Sequence, residues 1–465
     1  MKHTSTYIIL SLSAALTILL YGYLSDFTFG GDVKKIGLVI LLSILFVYYS
    51  WVKCGGHLLS AYIIFITAFC AFNLGQPILE SFGTIDNRLS LLDSYGISNN
   101  LFIKAASFGL LSLLFLHIGM LWGIKKRTNY NISKNEEVRQ MFLSIKFISI
   151  CFAVLSFPFF FYNLYQSLSV ITLYGYGAAD NYYRVPSFVK LLADYYEPAI
   201  IGLFFSSEYL NKNKLIVRFL LFATVLMPPL FLGGRANAVI IVAIVLIIYQ
   251  LFNRIPIRKL ILIAVFGYVL IVILALVGKT RNDTGNKVQN MELALNDMEV
   301  SPVVSTLTEM GWSMFPLAST MEIIPEKDDY KYGVSYLFAL TTIIPNIGIW
   351  DVHPAQKYGS PGVWLDHKMD MGFGLGYSIV AESYYNFGIM GFLFFLLYGF
   401  FLSKCTTAIS KREMMKNPIM TFACIIVLWF IIKTVRNDFV ATVRAIAYVA
   451  LPFYYLCFIK YRKTR

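Results

Sequence analysis

The run Val217–Phe252, VRFLLFATVLMPPLFLGGRANAVIIVAIVLIIYQLF, decides how this chain folds. Two apolar stretches, 217–233 and 236–252, flank Gly233, Gly234 and Arg235. Each matches the roughly 17–25 residues that a helix needs to cross about 30 Å of hydrocarbon. Neither alternates apolar and polar residues as a barrel strand would, so both read as membrane helices. Pro228 and Pro229, just before the glycine pair, predict a break or kink in the helix that delivers Arg235.

Similar runs recur outward in both directions, near 7–24, 36–52, 58–76, 101–123, 144–166, 190–209, 260–278, 377–403, 419–435 and 438–459. The expected fold is therefore an all-α polytopic membrane protein of about twelve transmembrane helices. Composition agrees. The 465 residues are 58% hydrophobic and 14% charged, with mean hydropathy +0.66, whereas soluble domains carry about 25% charged residues. The first run resembles a signal peptide, but no small-residue cleavage site follows, and Tyr21, Tyr23 and Phe27 read as an interfacial belt. It is expected to be a retained helix.

The net charge of +13 would suit a nucleic-acid binder. Its distribution points elsewhere. Basic residues cluster at Lys125–Arg127, Lys212–Arg218, Arg254–Lys259, Lys404–Lys416 and Lys460–Arg465, at every second connection. That is the pattern of cytoplasmic loops, so the charge sets topology, no nucleic-acid partner is implied, and both termini are expected to be cytoplasmic. Six cysteines without CxxC spacing indicate neither a disulfide framework nor a zinc site.

This parity yields three regions: helices one to nine over 1–278, one large extracytoplasmic loop over 279–376, and helices ten to twelve with a basic cytoplasmic tail over 377–465. The loop is too long for structureless linker. Within it, Gly333–Trp350 is apolar enough to raise the question of a further span, but Pro345 interrupts it and no basic cluster follows. A short helix that dips into the interface or packs on the bundle is expected instead.

Against this topology four arginines stand out. Arg235, Arg281 and Arg436 end apolar runs, Arg444 lies just inside the last one, and all four fall on the outer side, where Lys and Arg should be scarce. A lone arginine would be read as snorkelling to lipid phosphate. Several on one side suggest an anionic ligand, because a permanently charged planar fork binds phosphate bidentately. Arg436 and Arg444, eight residues apart, would sit roughly 80° apart on a continuous helix and could face one cavity.

Acid–base candidates are sparser. Asp351, His353, Asp366, His367, Lys368 and Asp370 share the large loop, without tight metal-ligand spacing, so no metal and no other cofactor is expected. Solvated loop polarity and catalysis both remain open for them. His367 is preferred as a general base because it precedes the glycine-rich return GFGLGYS. Glu382, in AESYYNFGIMG, is either a functional carboxylate near the end of a span or a residue favouring a helix N-terminus. Tyr174, Tyr176, Asp180, Tyr182, Tyr183 and Arg184 form an outer segment that suits sugar stacking and a membrane belt equally.

GGRAN at a span boundary, the long outer loop before AESYYNFGIMG, and the closing RND…VR pair resemble bacterial O-antigen and related oligosaccharide repeat-unit polymerases, over roughly residues 140–450. The resemblance implies a glycosyltransferase of the bacterial inner membrane whose site faces the periplasm or cell exterior. Its substrate would be an undecaprenyl-diphosphate-linked oligosaccharide, the growing glycan passing to a hydroxyl of the incoming lipid-linked unit. The lipid bilayer, and a regulator of chain length, are the further partners it allows. It matches Arg235, Arg281, Arg436 and Arg444, at the donor's diphosphate, and His367 in the variable loop. The acceptor hydroxyl also needs a base, for which His367, with Glu382 as a supporting or substitute residue, is available on the same side. An O-antigen ligase shares this architecture and donor. A lipid-oligosaccharide flippase would show repeated halves and midplane charges. A metal-dependent polyprenyl-phosphate transferase would need an acidic pair in an early outer loop, where only the widely spaced Asp26, Asp32, Asp86 and Asp93 are found.

Overall fold

The computed structural model describes residues 4–24, 32–124, 135–174, 185–210, 215–232, 235–253, 256–280, 300–346, 349–370 and 376–464. Among these residues the regular structure is helical, with no strand. Among the described residues, seven helices are long and apolar enough to cross a membrane: Thr4–Tyr23, Val33–Lys53, Ala61–Phe82, Asn99–Gly123, Glu136–Tyr174, Ile379–Ala408 and Phe439–Thr464. The other segments expected from hydropathy are also helical, over Ser187–Ala193 with Tyr196–Leu210, Leu215–Phe231, Arg235–Phe252, Ile257–Thr280 and Pro418–Lys433. Pro228 and Pro229 lie inside Leu215–Phe231, and a new helix opens at Arg235. The outer segment containing Asp180 and Arg184 lies outside the described residues, as does Arg281.

The chain forms two compact units. The first comprises residues 1–127, 303–407 and 431–444; the second, residues 128–302, 408–430 and 445–465. In the second, aromatic side chains cement the long helix Asn135–Tyr174 to its neighbours. Phe142 stacks on Tyr209 with centroids 4.2 Å apart, and Phe152 stacks on Tyr195 at 4.6 Å. A buried ion pair joins Arg218 to Glu208 at 2.5 Å.

The first unit is built on close helix crossings. A Cβ on Gly119 would lie 2.0 Å from the Leu396 carbonyl oxygen, and one on Gly399 would lie 2.1 Å from that of Leu116. Gly123 faces Ser403 with the same intimacy. Two stripes of small residues four apart thus let Asn99–Gly123 and Phe394–Ala408 touch backbone to backbone. In lipid, where apolar side chains gain little from leaving their surroundings, such contact is a main source of helix association.

Among its described residues the 279–376 connection carries several short helices. Pro302–Gly311 and Phe315–Ile323 pack into the first unit, with Phe315, Leu317, Ala318 and Thr320 buried. Gln76 of Ala61–Phe82 donates to the carbonyls of Thr308 (3.1 Å) and Leu89 (2.8 Å) and accepts from the Leu91 N–H (3.0 Å). Gly333–Trp350 holds a helix over Val334–Ala339 continued by a tighter turn over Leu340–Ile343. Ten residues cannot cross a bilayer that requires about 20. Tyr336 stacks on Phe394 with centroids 4.7 Å apart, so this helix packs on the span Ile379–Ala408.

Candidate functional site

The best-defined polar structure of the first unit surrounds the turn in KTVRND. Helix Pro418–Lys433 ends, Thr434–Arg436 turn, and Phe439 begins the next helix. Asn437 and Asp438 are residue types that favour turns and helix starts. The Asp438 carboxyl accepts from the Ala441 N–H and, at 2.5 Å, from Ser360 Oγ.

The turn is gripped by several segments of the chain. The Ile379 N–H donates to the Thr434 carbonyl at 3.1 Å, and Tyr398 Oη lies 2.9 Å from Thr434 Oγ1. Asn73 Nδ2 donates to the Val435 carbonyl at 3.3 Å. Glu382, 0% exposed, accepts the Phe439 N–H at Oε2 (2.7 Å) and the Ser335 hydroxyl at Oε1 (2.6 Å). Asn386 completes the network. Its Nδ2 donates to Ser335 Oγ (2.7 Å) and to the Glu382 carbonyl (2.9 Å), while its Oδ1 accepts from the Gly333 N–H at 3.0 Å. A buried carboxyl group is costly unless its oxygens find partners. Both do, and one of them ties the helix Ile379–Phe387 to the start of Phe439–Ala445.

Arg436, by contrast, is exposed, and among the described residues its side chain has no hydrogen-bond or ion-pair partner. Arg444 is exposed likewise, on Phe439–Ala445. The expectation that these two share one helix at a fixed angle is corrected by the structure. Arg436 belongs to the turn, because the Asn437–Asp438 cap breaks the helix between them, so the 80° relation does not apply. Arg235 opens a helix of the second unit and its side chain is outside the described residues, as is the whole of Arg281. The structure therefore neither joins nor separates the four arginines.

His367 lies in the last turn of Pro361–Met369, exposed and without a hydrogen bond or ion pair among the described residues. Its helix is anchored through Asp328, which accepts from Trp364 Nε1 (3.0 Å) and Lys331 Nζ (2.7 Å) and pairs with Lys368 at 3.4 Å. Burial alone would raise the Asp328 carboxyl, but those donors and the Asp329 N–H outweigh it and hold it well below the usual carboxylate range. Of the other loop candidates, His353 is spent locally. Its Nδ1 caps the helix Pro354–Tyr358 at the Ala355 N–H (3.1 Å), and its Nε2 meets the Ile344 carbonyl (3.0 Å). Asp370 ends Pro361–Met369 in a left-handed conformation. No group of three or more His, Cys, Asp or Glu placed to hold a metal occurs among the described residues.

Asn73, Tyr398, Ser335 and Ser360 enter this site without having been singled out from sequence, and Asp438 only as the last residue of RND. An asparagine inside the apolar run of Ala61–Phe82 was the one available signal, since a polar side chain at membrane depth calls for a partner. A family model described as O-antigen polysaccharide polymerase Wzy matches residues 7–464 of the chain. No curated protein and no solved structure matches it.

Proposed function

The chain belongs to the O-antigen polysaccharide polymerase Wzy family, and from that premise we propose that it polymerises undecaprenyl-diphosphate-linked repeat units on the outer side of the inner membrane. A hydroxyl of the incoming unit attacks the anomeric carbon of the growing glycan. The bond from that carbon to the lipid diphosphate breaks, and the diphosphate leaves with the bonding electrons. The hydroxyl proton passes to a base. Because diphosphate is already a good leaving group, the main requirement is positive charge where negative charge develops.

Arg436 meets that requirement as a solvent-facing guanidinium on a turn gripped through the Thr434 and Val435 carbonyls. Arg444, Arg235 and Arg281 are proposed for the same diphosphate from their sequence contexts. His367, exposed at the end of its helix, is proposed as the base. Glu382 supports the turn from within the protein. The family match over 7–464 carries the polymerase reading, and the twelve-helix topology with 279–376 outside belongs to the same proposal.

Cells lacking the protein test it. Retention of a single repeat unit on the anchor, with the polymer gone, is the expected result; loss of all attached glycan would favour a ligase or flippase instead. Topology is tested separately. A Lys357→Cys variant should be labelled by an impermeant thiol reagent from outside, while Lys411→Cys should be missed, both lysines being exposed. The reverse pattern would overturn the orientation and the case built on the arginines.

A further inference from the structure

Asn73 occupies an expensive position. It is 2% exposed inside the helix Ala61–Phe82, and its amide donates to two carbonyls, Phe69 one turn below and Val435 at 3.3 Å, 362 residues along the chain. The Phe69 bond satisfies one N–H within the helix itself. The second N–H is directed at a single backbone atom of the turn that presents Arg436.

That atom matters because of peptide planarity. The Val435 carbonyl and the Arg436 N–H belong to one rigid peptide unit. Asn73 holds its oxygen, and the Lys433 carbonyl holds its N–H at 3.2 Å. Fixing both ends of the plane fixes the N–Cα axis of Arg436, from which its Cα–Cβ bond leaves at an angle set by φ. The neighbouring plane is held as well, through the bond from the Ile379 N–H to the Thr434 carbonyl. A long side chain on an unanchored turn would sample many directions, and ordering it on a ligand would cost part of the binding energy.

We propose that Asn73 is a positioning residue for Arg436: by holding the 435–436 peptide it preorganises the guanidinium for the diphosphate of the lipid-linked donor. The assignment rests on Arg436 binding that diphosphate. Asn73 itself touches no substrate. It acts through one backbone carbonyl, so its contribution should vanish when the arginine is absent.

A double-mutant cycle tests this with the purified full-length protein in lipid nanodiscs and lipid-linked repeat units as substrate. Asn73→Ala is expected to raise KM for the donor by about tenfold, the scale of one lost hydrogen bond. In an Arg436→Ala background the same change should add less than about twofold, because the residue it aims is gone. An effect of equal size in both backgrounds would show a general packing role and overturn the proposal, as would unchanged KM in Asn73→Ala. If Asn73→Ala yields no folded protein, Asn73→Ser replaces it; its hydroxyl can bond back to Phe69 but is too short for Val435. Wild-type kinetics in Arg436→Ala alone would refute the diphosphate role itself, a result distinguishable from failure of the Asn73 coupling.

Discussion

Replacing Gly399 by leucine is expected to remove nearly all correctly assembled protein from the membrane. The first atom of the new side chain would sit 2.1 Å from the Leu116 carbonyl oxygen and 3.0 Å from the Met120 N, both backbone atoms that no rotamer change can move. The helices Asn99–Gly123 and Phe394–Ala408 would have to separate, opening the contacts at Gly119 and Gly123 as well. Ordinary overpacking costs about 1–3 kcal/mol, and a clash with backbone along a whole crossing exceeds that range. Against a total stability of about 5–15 kcal/mol the loss is large. Gly267→Leu is the control, since a Cβ there meets nothing within 4 Å. Size-exclusion profiles of detergent-solubilised variants give the readout. A monodisperse Gly399→Leu peak at the Gly267→Leu level would show that the two helices do not cross this closely.

His367→Ala should lower turnover by about 10²–10⁴-fold, the usual contribution of a general base. Glu382→Gln should cost far less. Glutamine keeps a side-chain oxygen for the Phe439 N–H and has the same length, so the clamp on the turn survives. The contrast follows from placement. A base must come within about 3 Å of the proton it takes; His367 is exposed, whereas Glu382 is 0% exposed with both oxygens engaged. Rates with one defined lipid-linked substrate decide between them. Near-wild-type turnover in His367→Ala together with collapse in Glu382→Gln would reverse the roles and require Glu382 to become accessible during the reaction.

The membrane helices were legible because hydropathy is a local property: an apolar run of sufficient length reads the same whatever surrounds it. The resemblance read from GGRAN and RND…VR, and the helix starting at Arg235, were local in the same way. Polar residues were harder to read. Glu382 left two readings open from sequence, and the structure shows a third use, a bond to the first residue of another helix. Asn386, one turn further along Glu382's own helix, is the hub of four side-chain hydrogen bonds. The helical angle between Arg436 and Arg444 failed because it ran one helix through the gap between the apolar runs 419–435 and 438–459, where the chain turns.

By itself, then, the sequence determined that this is an all-helical membrane chain of the O-antigen polymerase type, and it marked the residues worth watching at the span ends. Tertiary structure alone decided which of them are held and which are presented. Gln76 meets Thr308, Asn73 meets Val435 and Gly399 meets Leu116 across separations that no local pattern encodes. The physical reason is the partner requirement. A buried polar group or a missing side chain announces only that something must approach it, and the identity of that neighbour follows from how the whole chain packs.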